Sequence, residues 1–189
     1  MFRDAGFALD SLASVGFADE DPEEDGLEAF ATFEENARAK ARWFAARLPC
    51  TMVVSDDSGL EVDALRGGPG VRSKRWSGST ASGAALDAAN NAHLTAVLGD
   101  SAQRSARYVS VVVCTDGTRE WSARGECSGR ILAVPSGKGG FGYDPLFWSD
   151  DLPCTFADAT PEAKGRVSHR GQAFRRMLRA LSTAGGPTA

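Results

Sequence analysis

Met52-Val53-Val54-Ser55-Asp56-Asp57-Ser58-Gly59-Leu60 is the stretch on which the fold turns. An apolar, β-branched run feeding Asp-Asp-Ser-Gly reads as a buried strand, Cys50 to Ser55, that ends in two carboxylates. Open α/β sheets bind their ligands at the carboxyl ends of strands, so the acidic pair has a chemical use there. Hard cations such as Mg²⁺ accept carboxylate oxygens and keep waters and substrate phosphates as their other ligands. The same residues are good turn material, because Asp and Gly both tolerate unusual backbone angles. The surrounding chain has to decide between the two.

Upstream, Phe33, Ala37, Ala41, Phe44 and Leu48 recur at three- and four-residue spacing and predict a helix that Pro49 ends. Thr32 with Glu35 forms a capping-box signature at its start, so Glu35 suits a helix cap as well as a metal. Before it, short apolar pieces around Phe7, Leu9, Leu12 and Val15 run into an acidic segment, Asp19 to Asp25, that reads as a solvated loop. Downstream, a turn at Gly67 to Gly70 precedes a second helix from a Ser82 cap to Gly99, with Leu86, Leu94 and Val97 on its buried side. A hairpin follows: Tyr108 to Cys114 is β-rich, Asp116-Gly117 is a turn signal, and Thr118 to Ala123 can pair back. A glycine-rich loop from Pro135 to Pro145 leads into a short strand, Leu146-Phe147-Trp148. Thr160-Pro161 opens a short helix, and Ser168 caps a last one with Phe174, Met177, Leu178 and Leu181 as its core stripe.

A chain of 189 residues, 42% hydrophobic, is long enough for one buried α/β domain, here expected over residues 1–184 with a disordered tail at 185–189. The net charge of −4 argues against a general nucleic-acid binder but leaves room for a local basic pocket, and basic residues do cluster from Lys164 to Arg179. Four widely spaced cysteines and two histidines give no zinc pattern and suit reduced thiols in the cytoplasm. No run approaches the roughly 20 apolar residues of a membrane helix, so no membrane partner is expected.

Residues 137–142 match Gly-x-Gly-x-x-Gly, yet Tyr143-Asp144-Pro145 follows where a dinucleotide fold needs a helix. Lys138 is followed by Gly139 rather than Ser or Thr, which removes a P-loop, and no Gly-x-Ser-x-Gly elbow occurs. What remains is an acidic set early, a glycine loop in the middle, and Lys164 with His169-Arg170 late. Carboxylates hold Mg²⁺ and draw protons from water, while Lys, Arg and a helix start at Ser168 meet phosphate or carbonyl oxygens. Taken singly, Lys164 and His169 read equally as surface residues.

Four blocks, in order and spacing, resemble the inosine triphosphate pyrophosphatase family, enzymes that clear deaminated purine nucleoside triphosphates. They are Thr32-Phe33-Glu34-Glu35-Asn36-Ala37 with Lys40-Ala41-Arg42, Ser55 to Asp63 through Pro69-Gly70-Val71 to Arg75, Gly139 to Pro145, and Lys164 with Ser168-His169-Arg170-Gly171. The resemblance implies a long mixed β-sheet with flanking helices in two lobes around a central cleft, and a homodimer. It implies Mg²⁺ held by Glu35 and Asp57, with Asp57 also taking the proton of the attacking water and Asp56 close by. Ser58, Phe141, Gly142, Tyr143, Asp144, Lys164, His169 and Arg170 would contact the nucleotide, with Phe141 or Tyr143 offering an aromatic face to the purine. The family's opening Thr/Ser-Gly-Asn-x-x-Lys loop has no counterpart in this sequence, whose Met1 to Phe7 resemble the helix after it. That departure keeps a second reading open, a catalytically weak nucleotide-binding or dimer-partner protein without triphosphate grip.

Overall fold

The β-rich run after Ser105 and the chain beyond the Asp116-Gly117 turn form the long hairpin of the molecule, β2 (Ser105–Thr115) and β3 (Glu120–Ile131). Asp116 closes the turn by accepting the amides of Thr118 and Arg119 at 2.9 and 2.7 Å, and Gly117 takes φ +87°. β1 (Val53–Val62) and β4 (Phe147–Ser149) complete a sheet ordered β1-β2-β3-β4, with β3 and β4 antiparallel through Gly129 opposite Ser149 and Ile131 opposite Phe147. Helices α1 (Phe33–Ala45), α2 (Gly83–Leu98), α3 (Pro161–Val167) and α4 (His169–Thr183) flank it, which is the α/β class expected. This computed structural model describes residues 8–17 and 26–183; the acidic run from Asp19 to Asp25 and the expected tail at 185–189 fall outside the described residues.

Three elements differ from the sequence expectation. β1 does not stop at Ser55 but continues to Val62, so Asp56 and Asp57 sit inside the strand. Leu60 and Val62, both fully buried, carry it on, because their burial needs the extended backbone that the acidic residues merely tolerate. β3 runs eight residues past Ala123, to Ile131, with Gly125, Cys127, Gly129 and Ile131 on its buried face. Glycines at two of those positions hid the alternation, and Gly129 has to be one: a Cβ there would lie 2.2 Å from the Trp148 carbonyl oxygen. On α2 the buried residues are Asn90, Leu94 and Leu98, while Val97 is 47% exposed. Leu94 and Leu98, four apart, are the apolar residues that this face buries, and Val97, three past Leu94, lies at its exposed margin.

The chain divides into two compact units. One comprises residues 1–57, 111–124 and 173–189, and its core joins Val112 and Cys114 of β2 to Ala173, Met177 and Leu181 of α4. The other comprises residues 58–110 and 125–172, and packs Leu60, Val62, Leu94, Tyr108, Ile131, Phe147 and Phe156 together. In that second core the Phe147 ring packs against Tyr108, at 4.7 Å, and Phe156, at 5.0 Å between ring centroids, and those two rings stack on each other at 5.8 Å.

Candidate functional site

In the first unit the helix start at Thr32 positions the carboxylates. Thr32 Oγ1 accepts the Glu35 amide at 3.2 Å and donates to Glu35 Oε2 at 2.8 Å, so the capping contact expected from sequence forms and Glu35 is tethered, exposed, to the first turn of α1. One residue on, fully buried Asn36 accepts the Phe30 amide on Oδ1 at 3.0 Å, which turns its Nδ2 toward Asp57 Oδ2 at 2.9 Å. Lys40, one turn further along α1, places Nζ 3.7 Å from Asp57 Oδ1 and donates to Glu28 at 3.0 Å. The Asp57 side chain is 11% exposed between these groups, so its charge is held in a partly dry setting. Strand alternation turns Asp56 to the opposite side of β1 from Asp57.

A divalent cation here would meet oxygen donors. No group of three or more His, Cys, Asp and Glu side chains gathers among the described residues, so these supply at most a carboxylate pair. That fits Mg²⁺, which is bound through one or two carboxylates and leaves its other positions to water and substrate phosphates. Asn36 and Lys40 stand in the first motif block but carried no role from the sequence; their i, i+4 spacing behind the capping box was the available signal.

In the second unit the glycine loop is folded onto its own carboxylate. Asp144, 2% exposed, accepts the Phe141 amide at 2.9 Å and a short hydrogen bond from Lys164 Nζ. A Cβ at Gly140 would lie 2.0 Å from Asp144 Oδ2, so only glycine lets the carboxylate reach in. Lys164 Nζ stands 4.8 Å from the centroid of Phe141 and 5.2 Å from that of Phe156, and the Arg170 guanidinium is 5.9 Å from Phe141. Arg170 also donates to Ser58 Oγ at 3.1 Å. Ser168 accepts the Gly171 amide at 3.2 Å, and this cap starts α4 with His169 and Arg170 at its head.

Of the two aromatic candidates, Phe141 is 62% exposed whereas Tyr143 is 3% exposed and donates its hydroxyl to the Ser73 carbonyl at 2.9 Å. His169 stacks on Tyr108 at 4.6 Å with rings 10° apart, and its buried Nδ1 has no hydrogen-bond partner among the described residues. Burial, reinforced by the charges of Arg170 and Lys164, pulls the imidazole down to about 3, so His169 is neutral at physiological pH. Ser58, Phe141, Asp144, Lys164, His169 and Arg170 thus all belong to one unit, while Glu35 and Asp57 belong to the other. Tyr108 and Ser73, which fix His169 and Tyr143, carried no sequence signal beyond their residue types.

The sequence model of the Ham1 family matches residues 1–180. The chain is 50% identical over 184 residues to the dITP/XTP pyrophosphatase of Nocardia farcinica, covering 95% of this chain and 85% of that protein. It is 48% identical over 176 residues to the dITP/XTP pyrophosphatase of Mycolicibacterium paratuberculosis, covering 91% of this chain and 83% of that protein. The solved structure of the Staphylococcus aureus Ham1 protein superimposes with a TM-score of 0.77 at 36% identity, covering 90% of this chain and 83% of that one.

Proposed function

The chain belongs to the Ham1 family, and we propose that it hydrolyses deaminated purine nucleoside triphosphates (ITP, dITP and XTP) to the monophosphate and pyrophosphate with Mg²⁺. The observation that carries this reading is the exposed Phe141 ring with the cations of Lys164 and Arg170 set about it, in the same unit as the unpartnered Nδ1 of a neutral His169. A flat, anionic, hydrogen-bonding ligand matches all of these features at once. The relatives named dITP/XTP pyrophosphatase support the same substrate class.

Glu35 and Asp57 are the residues to hold Mg²⁺, which when bound supplies positive charge against the phosphate oxygens. Asp57 takes the proton from the attacking water, and Asn36 and Lys40 orient it for that transfer. Lys164 balances phosphate charge, with buried Asp144 fixing its ammonium. Phe141 offers its face to the purine, Gly142 and Tyr143 shape the loop around it, and Ser58 steadies Arg170. Arg170 and the backbone at His169 donate to the 6-oxo group, which an adenine amino group would leave unpaired. Sites built on such hydrogen bonds discriminate by about 10⁴.

We read residues 1–184 as one functional domain that works as a homodimer in the cytoplasm. The free thiols of Cys50, Cys114, Cys127 and Cys154 suit a reducing compartment, and no helix among the described residues is long and apolar enough to cross a membrane. The deciding experiment measures products from ITP, dITP, XTP and ATP with Mg²⁺, with EDTA and after Mg²⁺ is restored. Pyrophosphate released from the deaminated substrates alone, only with the metal, is expected. Stepwise orthophosphate release or equal kcat/KM for ITP and ATP would overturn the reading, and tight binding without turnover would replace it with that of a nucleotide-binding protein.

A further inference from the structure

Gly142 is gripped through both its backbone amide and its carbonyl by one face of α2. Its amide donates to Asp87 Oδ2 at 2.8 Å, and its carbonyl accepts from Asn91 Nδ2 at 2.8 Å. Asp87 and Asn91 are four apart on the helix and therefore neighbours on its surface, and Asn91 Nδ2 also donates to the Asp87 carbonyl at 2.8 Å. The other end of the Asn91 amide supports this assignment. Its Oδ1 is buried without a hydrogen-bond partner among the described residues, so the amide is oriented by the two carbonyls it serves.

The preceding amide is held in the same manner, since Phe141 N–H donates to Asp144 Oδ2 at 2.9 Å. Two consecutive amides thus each meet a carboxylate, and hydrogen bonds to ionised acceptors are roughly twice as strong as neutral ones. Gly142 sits at φ +60°, with nothing within 4 Å of where a Cβ would be, so the conformation rather than crowding calls for glycine. Phe141, 62% exposed, has little packing to fix its ring. Its direction is set through its backbone.

We infer that Asp87 and Asn91 are positioning residues that pre-set the Phe141 ring for the purine, an inference that rests on the function proposed above. Neither residue is among those assigned above to contact the nucleotide. A loop fixed before binding loses less conformational freedom when substrate arrives, so the clamp acts on affinity rather than on the chemical step.

The test compares wild-type protein with Asp87→Ala and Asp87→Asn, whose amide oxygen still accepts from Gly142. With ITP, Asp87→Ala is expected to raise KM about five- to tenfold while kcat stays within about twofold, and Asp87→Asn to recover most of the loss. Unchanged KM in Asp87→Ala, equal defects in the two variants, or a fall in kcat and Tm with KM constant would overturn the inference. Without any substrate, hydrogen exchange at the Gly142 amide should be at least about tenfold faster in Asp87→Ala. An unchanged exchange rate overturns the clamp itself. Wild-type protein that hydrolyses none of ITP, dITP and XTP would instead overturn the proposed function, and the exchange measurement still decides the clamp.

Discussion

The carboxylate end of α1 and the glycine loop before β4 solve one problem, holding polar groups still, by different means. Around Asp57 the partners Asn36 and Lys40 come from a single regular helix, whose cap fixes where they point. Around Phe141 the backbone is irregular, and its rigidity is assembled from Asp144 of the loop itself and from Lys164, Asp87 and Asn91 on two other stretches of chain. The first arrangement leaves the charged group reachable. The second buries its charge, with the Asp144 side chain only 3% exposed. A reactive carboxylate has to meet water and metal, whereas a positioning carboxylate has to meet only the groups it positions. Substitutions on the α1 side should therefore act on rate, and those on the loop side on stability and affinity.

The strongest test of that contrast is Asp57→Asn. A neutral amide neither accepts the proton nor holds Mg²⁺ well, so turnover should fall by about 10² to 10⁴ with little change in Tm. Retention of more than about a tenth of wild-type pyrophosphate release would remove Asp57 as the base. Lys164→Met should behave oppositely in the melting curve. Removing one partner of a buried ion pair leaves Asp144 uncompensated, which costs about 3 to 5 kcal/mol. For a chain of this size that lowers Tm by roughly 6 °C or more in calorimetry. A drop of under about 2 °C would show that Asp144 is satisfied without the ammonium.

A third test uses pH. His169 is held down at about 3 in the folded protein, against an ordinary value of 6.5. Above pH 6.5 the imidazole is neutral in both folded and unfolded chains, and its contribution to stability is fully present. As pH falls from 6.5 toward 3 the unfolded chain binds a proton that the folded one refuses, so stability drops, by at most about 1.4 kcal/mol per pH unit. His169→Gln should flatten the slope of urea-unfolding free energy against pH between about 6 and 4. An unchanged slope would mean that the imidazole is not excluded from water. The smallest effect belongs to the α1 cap. Thr32→Ala should cost about 1 kcal/mol, a Tm shift of roughly 2 to 4 °C, and should raise the Mg²⁺ concentration needed for half-maximal rate, because Glu35 loses its tether. A stability loss with unchanged metal dependence would separate Glu35 from the metal.

What the sequence alone determined here is whatever closes within a few residues. The Thr32–Glu35 cap, the Asp116 turn, the Thr160 and Ser168 helix starts and the apolar stripe of α4 are each written in neighbouring side chains, and each forms. The α/β class followed from those elements, and the candidate site residues from the resemblance of four motif blocks. Tertiary structure decided the rest. Asp56 and Asp57 lie within β1 because Leu60 and Val62 are pulled into a core assembled from distant segments. β3 continues through glycines because Trp148 and Phe147 press against Gly129. Phe141 rather than Tyr143 is the exposed ring because the Tyr143 hydroxyl finds a carbonyl 70 residues away, on Ser73. A cap or turn is a contest between a few local hydrogen bonds, which residue type settles. Burial is a contest among all apolar surfaces at once, and its outcome exists only when the chain has folded.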